Sequence, residues 1–231
     1  MCGIAGIYHL ETAKPVDPAR LRAMLSPMQH RGPDGSGEWT AAGVGLGHLR
    51  LSIIALEGSP QPMASDDEAV TLTYNGEIYN FRELRTELED RGHRFRTSGD
   101  TEVVIAAWRQ WGPDCLSRLN GMFAFALWDE RSRRMLVARD RFGEKPLFVG
   151  KGRFGTVVFA SEMKAILGAP GIHCTLDLTA VAQYTRFQQL LGERTWAEGL
   201  WLLAPATILR FTPAEDLLRL ERYWDWDAIR P

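Results

Sequence analysis

The chain has 231 residues, 45% of them hydrophobic and 24% charged. That is an ordinary globular composition, enough for one large domain that buries about three quarters of its unfolded surface. Its 27 basic and 29 acidic side chains leave a formal charge of -2, which excludes the electrostatic footprint of a nucleic-acid or anionic-membrane binder and favours a small polar partner. No apolar run approaches the roughly 18 residues of a membrane span, and the first residues lack the basic and apolar regions of a signal peptide, so the expected compartment is the cytoplasm.

The opening MCGIAGI reads as an apolar strand preceded by Cys2. Removal of Met1 would give that residue both a thiol and a free α-amine. A thiol of reference pKa about 8.5 can lose its proton to an amine of about 7.7 to 8.0 near neutral pH, directly or through one water, so Cys2 needs no catalytic histidine. Taken alone, a short buried strand that happens to begin with cysteine is the plainer reading; the rest of the chain reverses it.

Asp17-Pro18 starts a helix with Leu21, Met24, Leu25 and Met28 on one face, broken by Gly32-Pro33. A second is expected from Asn80 as cap with Glu83 three residues on, carrying Phe81, Leu84 and Leu88 and stopping at Gly92. A third runs from about Thr101 to Gly112 with Val103, Val104, Ala107, Trp108 and Trp111 inward. Strand-like runs occupy 44–54, 69–74, 121–128, 135–140, 146–149 and 156–160, and the pair MFAFALWD and RMLVARD across the charged turn 129–134 is a hairpin signal. Ser161 is expected to cap a short helix, EMKAIL, and Asp177 another with Val181 and Tyr184 inward. Strands come in clusters, which predicts an α+β fold of antiparallel sheets covered by helices. Residues 215–227 interleave acids with Tyr223, Trp224 and Trp226. They read equally as packing on something beyond this segment or as a terminal strand folded back on the domain.

Cys115 and Cys174 read as packed thiols, and the five histidines show no metal-ligand spacing, so no metal is expected. Polar clusters fall at strand ends: HRGPDGSG at 30–37, HLRLSI at 48–53, YNGEIYN at 74–80 and SGDTE at 98–102. Each alone is weak; Asn75-Gly76 by itself reads as a hairpin turn. His30, His48 and Ser52 lack the spacing of a serine-hydrolase triad and read as packing.

In this order, behind Cys2 and followed by GMFAFALWD at 121–129, RDRFGEKPL at 139–147 and ASEMKAIL at 160–167, these clusters resemble the glutaminase domain of class II glutamine amidotransferases. These are a branch of the N-terminal-nucleophile hydrolases, and the likeness is strongest to the asparagine-synthetase group. The resemblance covers about residues 2–211. It implies an αββα sandwich, two antiparallel sheets between helical layers, and a domain over 1–211 followed by a tail or linker at 212–231.

The resemblance also implies hydrolysis of L-glutamine to glutamate and ammonia through a Cys2 thioester. Arg50 would hold the α-carboxylate with its planar fork, and Glu77 and Asp100 the α-ammonium. Asn75 and the Gly76 N–H would form an oxyanion hole, with Leu51 and Ile53 adding backbone or apolar contacts. Arg31-Gly32-Pro33-Asp34 and Ser98-Gly99 would hold the surrounding loops. No cofactor is expected in this chain. ATP and Mg²⁺ would serve a synthetase domain or subunit that receives the ammonia, whose SGGxDS-like loop is not in this sequence, with aspartate as the expected acceptor. A homo-oligomer stays open, as do two other readings: an N-terminal-nucleophile amidase for another small amide, and a non-catalytic module of the same fold. One departure is Ala204-Pro205-Ala206, where the resemblance leads us to expect Pro-Gly.

Overall fold

A computed structural model of the protein describes residues 1–9, 15–52, 59–152, 155–169, 171–212 and 217–229. The chain runs β1 (Gly3–His9), α1 (Pro18–Leu25), β2 (Gly35–Ala41), β3 (Val44–Arg50), β4 (Met63–Ala64), β5 (Val70–Ile78), α2 (Phe81–Asp90), α3 (Asp100–Trp111), α4 (Cys115–Arg118), β6 (Gly121–Asp129) and β7 (Arg134–Arg139). It continues through β8 (Phe148–Lys151), β9 (Thr156–Ala160), α5 (Met163–Leu167), α6 (Leu178–Phe187), β10 (Leu200–Leu202), β11 (Thr207–Thr212) and β12 (Leu217–Arg222).

Among the described residues the strands form two six-stranded antiparallel sheets, ordered β10-β8-β9-β1-β3-β2 and β12-β11-β7-β6-β5-β4. Alternation along each strand divides its side chains between two cores. Ile4 and Tyr8 of β1 meet Leu46, Phe159, Ala126, Trp128 and Val137 in the layer between the sheets. Ala5 and Ile7 point the other way, onto Leu21, Met24 and Leu25 of α1 and Ile166 of α5. On the far side, Leu72, Phe123 and Phe125 of the second sheet pack on Leu84 and Leu88 of α2 and Val103, Val104 and Ala107 of α3. Helix, sheet, sheet, helix is the predicted αββα sandwich.

The predicted hairpin is β6–β7, in register Leu127 to Leu136. Asp17 caps α1 through Ala19 N at 2.9 Å, and Asp177 caps α6 through Thr179 N and Ala180 N. Other local expectations are corrected. Ser161 does not cap α5; its hydroxyl accepts a hydrogen bond from Ile4 N at 3.0 Å and ties the helix start to β1. Asn80 precedes α2, but its side chain reaches Arg118 O and Asn120 N across the chain instead of its own helix. On α6 only Ala180 is buried; Tyr184 is exposed and meets Trp196 edge to face, with ring centroids 4.9 Å apart. The strand expected over 44–54 ends at Arg50. Asn75-Gly76 is no turn; both residues lie within β5, opposite Ala124 and Phe123 of β6. The terminal aromatic segment supplies β12, which pairs with β11 from Leu217 to Arg222, and Trp224, edge-on, and Trp226, tilted, then pack against the Phe142 ring.

Candidate active site

Antiparallel pairing decides what meets at the open edge of the sandwich. Gly3 sits opposite Leu49, so Cys2 and Arg50, 48 positions apart, become neighbours at the start of β1 and the end of β3. Facing them from the second sheet is the C-terminal half of β5, and α3 begins beside it. Cys2, Arg50, Leu51, Asn75, Gly76, Glu77 and Asp100 accordingly line one cavity of about 220 Å³. Of the residues singled out in the sequence, Ile53 lies outside the described residues.

The Cys2 Sγ is half-buried and lies 3.4 Å from Leu51 N and 3.5 Å from Leu51 O, so the Leu51 backbone fixes where the sulfur points. Behind it, Arg31 donates from Nε to the Cys2 carbonyl at 2.9 Å and from Nη1 to Glu162 at 3.0 Å. Burial pushes the Glu162 carboxyl up, but hydrogen bonds from Lys164, Arg31 and His30 outweigh it and bring that carboxyl down to about 2. The anchor of the first strand is thereby kept charged. Asp34 accepts from Ser52 N at 2.8 Å and so holds the turn after β3.

On β5 the direction of the N–H groups is informative. Tyr74 N donates to Gln61 Oε1 at 2.7 Å and Ile78 N to Asp100 Oδ2 at 2.9 Å, both away from β6. The two-residue period of a strand turns the Gly76 N–H, which lies between them, to the same edge and into the cavity. The side-chain Nδ2 of Asn75 is buried without a partner among the described residues, on a residue 1% exposed. Buried donors are rarely left so. Asn75 and Gly76, adjacent in sequence, thus bring a buried amide donor and a backbone N–H to the lining of one cavity. At Gly76 a Cβ would stand 2.3 Å from Met122 O, so the close approach of β6 itself demands glycine there.

Asp100 accepts the Tyr74 hydroxyl at 2.7 Å besides Ile78 N. Burial raises its carboxyl above the usual range, and the same burial together with Asp100 pushes the Tyr74 hydroxyl well up. Arg50 and Lys145 line the same cavity as this carboxyl. Glu102, two residues on, accepts from Arg96 N and Thr97 N and secures the 96–99 turn. Ser59, Gln61, Thr101, Met122 and Lys145 also line the cavity and were not singled out from the sequence. Lys145 lay inside a recognised motif, but nothing in its spacing told that the chain would carry it to Cys2.

His30, His48 and Ser52 do not converge. His30 binds Glu162, Ser52 N binds Asp34, and His48 is buried between the sheets with Nδ1 3.3 Å from Thr73 Oγ1. Burial, then the nearby Arg50, lowers the His48 imidazole to about 3. Burial pushes the Cys115 thiol up to about 12 and the Cys174 thiol up as well.

A model of the glutamine amidotransferase domain matches residues 1–224. The chain is 38% identical to glutamine-hydrolysing asparagine synthetase 3 of Bacillus subtilis over 99% of its own length and 37% of the relative's. It is 40% identical to asparagine synthetase B of Escherichia coli over 72% of its length and 30% of the relative's. The chain therefore spans about a third of the length of these curated relatives. In fold it is similar to the glutamine phosphoribosylpyrophosphate amidotransferase of B. subtilis, solved with ADP and GMP, with a TM-score of 0.70 at 23% identity over 96% of this chain and 49% of the other.

Proposed function

The chain belongs to the class II glutamine amidotransferase family, and from that premise we propose that it hydrolyses L-glutamine to glutamate and ammonia through a thioester on Cys2. The observation that carries this reading is the orphaned Asn75 Nδ2 in the same cavity as the Cys2 sulfur.

Once Met1 is removed, the α-amine of Cys2 takes the thiol proton and the thiolate attacks Cδ of glutamine. Asn75 Nδ2 and the Gly76 N–H receive the oxyanion, donors placed for charge that develops only in the transition state. Collapse returns the proton to the leaving nitrogen and releases ammonia; water then splits the glutamyl thioester, giving glutamate and restoring the thiol. Arg50 binds the α-carboxylate, and Glu77 and Asp100 bind the α-ammonium, with Leu51 completing the wall. The raised Asp100 carboxyl supports that role, because burial disfavours its charged form and an incoming ammonium would favour it. A substrate without either charge would leave these groups buried and unpaired.

By likeness to the asparagine synthetases, the ammonia passes to an ATP-dependent amide-forming domain or subunit, with aspartate as acceptor and ATP and Mg²⁺ held there. Among the described residues no helix is long and apolar enough to cross a membrane. We place the enzyme in the cytoplasm, where glutamine and ATP are plentiful. The test is mass spectrometry of the mature N-terminus together with glutamate release from glutamine, with Cys2→Ala as control. The reading requires a terminus at Cys2 and activity that vanishes in the variant; activity surviving in Cys2→Ala would overturn it.

A further inference from the structure

Lys145 is 7% exposed and lines the cavity of Cys2. Its loop is pinned from both sides. Asp140 Oδ2 accepts Lys145 N at 3.0 Å, and Arg139 Nε donates to Lys145 O at 2.8 Å. The side chain is less well served: among the described residues its Nζ meets no carboxylate, and its partner is the thioether of Met1 at 3.6 Å. Sulfur of this kind is a weak acceptor, and an ammonium buried against it is poorly compensated. Met1 is also the residue bonded to the Cys2 nitrogen. Its loss removes the partner of Lys145 and creates a titratable amine facing the same space.

Resting on the nucleophile assigned to Cys2 above, we propose that Lys145 is a positioning residue whose fixed positive charge disfavours protonation of the processed Cys2 α-amine and favours the thiolate beside it. A like charge facing the same cavity favours the neutral form of an amine, and the same charge favours an anionic sulfur. The first effect keeps the amine free to take the thiol proton, and the second stabilises the thiolate that this transfer leaves. The other charges around the cavity are Arg31 on the Cys2 carbonyl, Arg50 at the end of β3, Glu77 on β5, Asp100 at the start of α3 and Asp140 beneath the lysine's own backbone. Arg50 acts in the same sense as Lys145, and so does Arg31, whose charge is offset by the Glu162 carboxylate paired with it. Glu77 and Asp100 oppose them until a substrate ammonium arrives, so the lysine counts most in the empty enzyme.

The experiment compares processed wild type, Lys145→Met and Lys145→Arg, each checked by thermal melting. Two profiles are measured against pH: kcat/KM for glutamate release, and the rate of Cys2 alkylation by iodoacetamide without glutamine. We expect the acid limb of both to move up by about one pH unit in Lys145→Met and to return in Lys145→Arg, with the glutamine KM changed less than about twofold. Coincident acid limbs in all three proteins would overturn the proposal, and so would a raised KM with an unmoved limb, which would make Lys145 a substrate ligand. Should Lys145→Met melt early, Lys145→Gln carries the same comparison. Wild-type turnover and its loss in Cys2→Ala report on the nucleophile alone, so failure of the lysine proposal is distinguishable from failure of the underlying reading.

Discussion

Asp140 and Asn75 lie on either side of β6, each 1% exposed, and they treat burial in opposite ways. The Asp140 carboxylate accepts four backbone N–H groups, from Phe123, Phe142, Glu144 and Lys145, at 2.9 to 3.2 Å. Among the described residues, Asn75 Nδ2 has no partner. Equal burial with unequal satisfaction separates a polar group that holds the fold from one that waits for a ligand. A saturated carboxylate costs the fold heavily when removed, whereas an orphaned amide costs the fold little and the reaction much.

The largest effect expected from breaking this contrast is on catalysis. Asn75→Ala removes one oxyanion donor, worth about 2.7 to 4 kcal/mol of barrier. Turnover of glutamine should fall on the order of a hundredfold or more, while KM barely moves and stability changes by no more than about 1 kcal/mol. A proportionate loss in kcat and in glutamine binding would contradict the assignment. Asp140→Ala should invert the pattern: four donors lose their acceptor, and we expect at least about 3 kcal/mol of lost stability in urea denaturation. A midpoint within error of wild type would show that the 140–145 loop does not depend on this carboxylate.

His48 is an intermediate case, with Nδ1 near Thr73 Oγ1 and Nε2 unpartnered among the described residues. Its folded-state value of about 3 lies below the ordinary histidine value of 6.5, so the fold requires the neutral ring. Below pH 6.5 the unfolded chain takes up a proton that the folded chain refuses. Stability should therefore fall by about 1.4 kcal/mol per pH unit from this group as pH drops from 6.5 toward 3, and stay flat above 6.5. His48→Gln should flatten that slope; an identical slope in the variant would locate the acid sensitivity elsewhere. The smallest effect concerns the loop beside Asp140. Ala206 donates its N–H to Asp140 O at 2.8 Å and adopts a φ of +54°, a left-handed conformation that costs a non-glycine residue about 1 kcal/mol. Ala206→Gly should raise stability by about 0.5 to 1 kcal/mol by thermal melting, and a loss would show the alanine methyl to be worth more than the strain.

Sequence periodicity revealed the elements with strong one-face patterns: α1 with Leu21, Met24 and Leu25, the β6–β7 hairpin, and α3 with its inward valines. It missed β2, because GSGEWTA carries one large apolar residue and runs along an exposed sheet edge where burial imposes little alternation. β4 and β10, of two and three residues, are too short to show a period. The turn reading of Asn75-Gly76 failed because pairing with β6 overrides local turn preference. Ser161 and Asn80 have cap-forming side chains, but long-range backbone groups compete for them. The cavity residues Cys2, Arg50, Asn75, Glu77 and Asp100 were legible through motif resemblance. Lys145, Ser59 and Gln61 were not, since the return of the 140–145 loop brings in Lys145 and a long-range bond to Tyr74 N holds Gln61.

The account turns on an unblocked nitrogen at Cys2, so the most direct measurement compares glutamate release by the processed chain with that by a chain whose N-terminus is extended and cannot be trimmed to Cys2. We predict steady turnover for the first and none detectable for the second; equal rates in the two would contradict the account.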